Sequence, residues 1–251
     1  IVPIWYTIFY IFTKMMQTFT QEQHQKFKIY FNMKETPSEI DRAFLEKTKK
    51  YIWYIKWIPG IKMIGVGNSI AMNAWEKESD IDLYIVTWEK RMWLVRILIT
   101  LIFSILWVRK NEKYHAGRFC LSFFSTLEWM NFSNFAIEND IYLYFWIIYF
   151  QPILDVDNTY KKFISSQSWA NFDVYQKQIN NHKKTISYTG TSFWATCKIF
   201  DIFDHFLKKI FLPKTLKHYE SLGKPYWIII QNNMLKFHNN DIRNQLKKEL
   251  L

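Results

Sequence analysis

The stretch Ile61–Thr87, IKMIGVGNSIAMNAWEKESDIDLYIVT, constrains the fold more than any other part of the chain. Ile61–Val66 is short, apolar and rich in β-branched residues, and reads as a buried strand. Gly67-Asn68-Ser69 follows as a tight turn, and Ile70–Trp75 as a short helix. Asp80–Thr87 is a second strand, in which Ile81, Leu83 and Ile85 alternate with Asp80, Asp82 and Tyr84. A strand that turns through a helix into another strand predicts a sheet with helices packed against it. The expected fold class is therefore α/β (α+β).

The same stretch carries the chemistry. Residues i and i+2 of a strand point to one face, so Asp80 and Asp82 present two carboxylates side by side. Two such charges repel unless something neutralises them. A hard divalent cation, Mg²⁺ or Mn²⁺, does so and shares its remaining positions with phosphate oxygens. The turn at Gly67, Asn68 and Ser69 offers the complementary half: backbone N–H groups and a hydroxyl suited to phosphate. Asp-x-Asp alone is often only a strand start, and a Gly-x-Ser turn is common. The spacing of the two between paired strands is what gives them meaning.

In that spacing the segment resembles the signature of the DNA polymerase β-like nucleotidyltransferase superfamily. The matching residues are Ser69, Ala71, Ser79, Asp80 and Asp82. The resemblance is strong over about 30 residues, and the order of elements over roughly 40–165 is compatible with it. It implies a small mixed sheet flanked by helices and a metal-dependent transfer of a nucleoside monophosphate from a nucleoside triphosphate to a hydroxyl acceptor. Asp80 and Asp82 would be the catalytic, metal-binding pair, and Gly67, Asn68 and Ser69 the phosphate turn. Asn68 and Asn73 replace two usual glycines, and Asn is the residue that best tolerates positive φ after Gly. The family's third acid is missing from the expected strand Phe119–Ser125, where Glu128, Glu138 or Asp140 are candidates to substitute from neighbouring elements. Without a substitute, the alternative is a nucleotide-binding module of impaired catalysis.

Beyond this segment the expectations are coarser. The chain divides into an extension over 1–36, a core over 37–168 and a basic, mostly helical region over 169–251. The net charge is +11, and residues 166–251 hold 13 basic against 6 acidic side chains, which suits an anionic partner. The acceptor stays open between a small molecule, a protein side chain and RNA. Arg118 opens the third strand and is the arginine best placed for a triphosphate, ahead of Arg91 and Arg96. Lys236, Asn240 and Arg243 share a face if residues 233–251 form a helix. His205 with Asp201 or Asp204 is a weaker metal candidate. Cys120 and Cys197 have no metal-type spacing and no disulfide framework, so a reducing, cytoplasmic setting is the default. Ile1–Phe12 and Trp93–Val108 are apolar but short for a membrane span. Membrane association is a third reading, and a helix packed on the sheet is the expectation for Trp93–Val108.

Overall fold

The structure is a computed structural model that describes residues 16–180, 186–189, 197–225, 227–237 and 241–251. The Ile1–Phe12 segment, Asn240 and residues 192–196 of an expected helix lie outside these. Among the described residues there are seven strands: β1 (Ile61–Val66), β2 (Ile81–Thr87), β3 (Phe119–Thr126), β4 (Gln151–Val156), β5 (Ile186–Tyr188), β6 (Ile229–Ile230) and β7 (Met234–Lys236). The α-helices are α1 (Gln21–Tyr30), α2 (Glu39–Ile55), α3 (Asn68–Ala71), α4 (Met92–Ile105), α5 (Ile141–Tyr149), α6 (Thr159–Ser166), α7 (Gln176–Asn180), α8 (Ile199–Ser221) and α9 (Arg243–Leu250). The strands form one mixed sheet in the order β5-β4-β1-β2-β3-β7-β6. β1 runs antiparallel to β2 and β4, whereas β2 and β3 are parallel. The fold is mixed α/β, a sheet with helices on both faces.

The pleat of β2 divides two cores. Ile81, Leu83 and Ile85 face one way, into a cluster with Ile52 and Ile55 of α2 and Trp93, Ile99 and Phe103 of α4. Tyr84 and Val86 face the other way, into an aromatic cluster with Phe123, Trp146, Phe150 and Phe163. The alternation read in the sequence is thus the partition between the two layers. Helix α2 starts where Ser38 caps it: the Ser38 hydroxyl accepts from the Asp41 backbone N–H (3.2 Å) and the Asp41 carboxylate accepts from that of Ser38 (2.8 Å). Trp93–Val108 supplies α4, buried on the sheet, and no helix among the described residues is long and apolar enough to cross a membrane.

Two expectations fail in the C-terminal region. The helix expected from about Asn233 begins only at Arg243, because Met234–Lys236 pairs antiparallel with Phe123–Ser125 at the edge of β3. Ladder pairing and the full burial of Leu235 override the helical pattern. The sequence reads as two helices, about Ser192–Phe211 and Lys214–Ser221, but α8 runs through Pro213, losing one backbone hydrogen bond and keeping its apolar side, with Leu207, Phe211 and Leu212, against the core.

On the aromatic side, His24 of α1 is buried, stacks on Phe145 at 4.4 Å and shares a 2.7 Å hydrogen bond with the Tyr149 hydroxyl. Burial, then the charge of Lys28, lowers its pKa to about 4. The unfolded chain therefore takes up a proton below about pH 6.5 that the native state refuses. Stability is full above that pH and is expected to fall as pH drops toward 4, by about 2 kcal/mol after discounting for solvent screening. Urea midpoints at pH 7 and pH 5 check this. The difference should shrink in His24→Phe, and an unchanged difference would assign it to other groups.

Candidate metal centre

The turn between β1 and α3 is shaped by close approach. A Cβ on Gly65 would lie 2.0 Å from Phe150 Cζ, and one on Gly67 2.5 Å from Trp146 Nε1, so neither position has room for a side chain. The Gly67 N–H donates to the Asp82 carbonyl at 3.1 Å, which ties the turn to the head of β2. Asn68 and Asn73 adopt φ of 54° and 52°, the left-handed conformations expected where the related signature has glycine. Helix α3 is a single four-residue turn, too short to carry a useful macrodipole, so the turn offers only local polar groups. Ser69 and Asn68 line an open cavity of about 310 Å³ together with Ser79 and Tyr142.

Asp80 and Asp82 stand at the mouth of this turn. One carboxylate oxygen from each, together with the sulfur of Cys120, lies within 4.8 Å of the others, and all three residues are half-buried. Cys120 reaches the pair because β3 runs parallel to β2 with Cys120 directly opposite Asp82. Asn68 Nδ2 donates to Asp82 Oδ2 at 2.6 Å, and the Tyr142 hydroxyl donates to Asn68 Oδ1 at 2.8 Å, so turn and carboxylate are held by one chain of bonds. Lys110 Nζ meets Asp80 Oδ2 at 2.6 Å. Burial works against the Lys110 charge, but the Asp80 hydrogen bond, with the charges of Asp80 and Asp82, outweighs it and raises the pKa. Burial first, then Asp82 and Asp80, push the Cys120 thiol far up, so it is a neutral thiol beside two carboxylates.

The donor set fits a divalent cation. Two carboxylates supply hard oxygen ligands for Mg²⁺ or Mn²⁺, and the sulfur adds a softer contact that Mn²⁺ accepts more readily than Mg²⁺. Asp80 Oδ2 is shielded from solvent, and the cation paired with it among the described residues is the half-exposed Lys110, a partner that a metal ion could displace.

The substitutes expected for the third acid do not reach the pair. Asp140 caps α5 and is bound to Arg243, Glu138 pairs with Lys247, and Glu128 lies just past β3, beyond Thr126 at the end remote from Cys120. The position adjoining the pair is held by Cys120. Cys120 is not an acid, and only the parallel register of β3 with β2 brings it beside the pair. Arg118 opens β3 as expected, but its guanidinium donates to the Trp107 carbonyl at 2.6 Å and lies over Tyr114, and Lys110 is the cation beside Asp80. Arg91 is buried against Asp201 and the Cys197 carbonyl. Asp204 accepts from the Leu94 N–H at 2.8 Å, so the Asp201–Asp204–His205 stretch anchors α8 to α4. Lys236 is in a strand, and Arg243 is bound to Asp140 and Asp241, so these two do not form a helical phosphate face. The chain matches no family model, no curated protein and no solved structure.

Proposed function

We propose that the chain is a metal-dependent nucleotidyltransferase that moves a nucleoside monophosphate from a nucleoside triphosphate to a hydroxyl acceptor. The carrying observation is the convergence of Asp80, Asp82 and Cys120 within 4.8 Å beside the Gly67–Ser69 turn. Asp80 and Asp82 would hold Mg²⁺ or Mn²⁺, which supplies charge neutralisation at the phosphates. Asn68, braced by Tyr142, orients Asp82. Asn68 and Ser69 line the cavity where the triphosphate would sit. Lys110, paired with Asp80 at 2.6 Å, would be freed to offset phosphate charge if a cation took its place. The acceptor oxygen attacks the α-phosphorus, the bond to the bridging β-phosphate oxygen breaks, and pyrophosphate leaves. The acceptor's proton passes to solvent. Positioning and charge neutralisation account for the rate. The two free cysteines are in keeping with the reducing cytoplasm.

A second reading, a nucleotide-binding module without catalysis, is favoured by the neutral thiol where a third carboxylate stands in the related signature. Incubation with Mg²⁺, each of four α-labelled nucleoside triphosphates and cell extract separates the two. The enzyme transfers label in a reaction that EDTA abolishes. Nucleotide binding without transfer leaves the second reading.

A further inference from the structure

On the β3 side of the carboxylate pair a second cavity, about 440 Å³, opens between α4, β3 and α8. Cys120 and Ser122 are in its wall, so it adjoins the candidate metal centre from the side opposite the turn. Arg96, Arg109, Lys110 and Lys214 also line it, with His218 beside them, and no lining residue is acidic. Among the described residues, Arg96, Arg109 and Lys214 share no ion pair with a carboxylate. Arg96 lies between the rings of Trp93 and Phe237, at 5.1 and 4.8 Å, with Thr215 Oγ1 at 3.5 Å. Burial, then the neighbouring Arg109, lowers its pKa to about 10, so it stays charged at neutral pH. Arg96, Arg109 and Lys214, uncompensated around one hollow, repel one another, and an anion spread over several sites relieves that repulsion.

The chemistry of the wall narrows the anion. Tyr219 and Phe237 line the hollow beside the cations, and Lys217 lies three residues along α8 from Lys214. Cations and aromatic rings in one wall suit a strand that carries phosphates and bases together. An acidic peptide would use the cations and leave the rings idle. We infer that this cavity seats the end of a single-stranded nucleic acid, with its terminal hydroxyl directed toward Asp80 and Asp82. Its role as acceptor rests on the reading proposed above, but the binding itself does not.

The test is fluorescence anisotropy of the full chain with a labelled 12-nucleotide RNA, its DNA counterpart, and polyglutamate of equal charge, between 50 and 200 mM salt. Arg109→Gln/Lys214→Gln removes two exposed cations, and its melting curve checks the fold. Binding should weaken about tenfold, and the slope of log affinity on log salt should become shallower by about 1.4, since each single-strand phosphate contact contributes about 0.7. Arg96→Gln should weaken binding in the same direction. Binding is measured without nucleoside triphosphate or metal, so the strand should bind even if the chain has no transfer activity. The tighter of the RNA and DNA probes identifies the sugar. No binding by wild type, equal binding by the double-glutamine variant, or equal binding of polyglutamate overturns the inference.

Discussion

Asp82→Asn should lower nucleotidyl transfer by roughly 10²–10³-fold, the scale seen when one preorganised electrostatic partner of a transition state is removed. The substitution is close to isosteric, and the carboxamide oxygen can still accept the 2.6 Å bond from Asn68 Nδ2, so the turn keeps its anchor. What disappears is the charge that, under the proposed function, would hold the cation against the phosphates. The melting temperature should move little, because Asp82 lies at the head of β2, half-buried, and outside both apolar clusters. Activity measured as initial rate of label transfer, with circular-dichroism melts of the same preparations, separates charge from folding. A variant that melts like wild type and transfers at the wild-type rate would remove Asp82 from the mechanism.

The largest stability effect belongs to a residue far from the carboxylate pair. Arg243→Ala should destabilise the protein by about 3–5 kcal/mol, the range for breaking a buried ion pair from one side. The guanidinium, nearly buried, donates to the Phe135 carbonyl (2.8 Å), Asp140 Oδ2 (3.1 Å) and Asp241 Oδ2 (2.6 Å). The Asp140 side chain has no exposed surface. Burial already raises its pKa, even with Arg243 and two backbone donors opposing. Without Arg243 the carboxyl protonates or stays charged and uncompensated. Because its native pKa then lies further above the unfolded value, the variant should lose more stability as pH rises from about 4 to 8. Urea unfolding at both pH values checks this, and Asp140→Asn/Arg243→Met should recover much of the loss. A deficit below about 1 kcal/mol would show the network to be solvent-screened. The effect reaches function because Asp140 caps α5, the helix that carries Tyr142 and Trp146 to the turn.

How much of this was legible in the sequence depends on whether local pattern or tertiary pairing decided the element. Ile61–Thr87 was legible because period-two alternation, a glycine turn and tolerant asparagines all point to the same backbone. Trp93–Val108 was legible as a buried helix from its length and its single arginine. Met234–Lys236 was not, because three residues beside a basic helix show no strand pattern until β3 offers an edge. Cys120 was overlooked for a related reason. Its importance comes from parallel register with Asp82, and register between strands separated by α4 is not written in either strand. Arg118 occupied the right strand end, but side-chain direction sent it to Trp107 and left Lys110, just past α4 and ahead of β3, beside Asp80.

The account depends most directly on whether Asp80 and Asp82 bind a divalent cation, and Mn²⁺ titration followed by electron paramagnetic resonance measures that without reference to any acceptor. With a nucleoside triphosphate present, wild type should take up Mn²⁺ at a saturable site that Asp80→Asn/Asp82→Asn lacks, while Lys110→Met retains it. Equal Mn²⁺ uptake by wild type and the double-asparagine variant would contradict the assignment of the carboxylate pair as a metal centre.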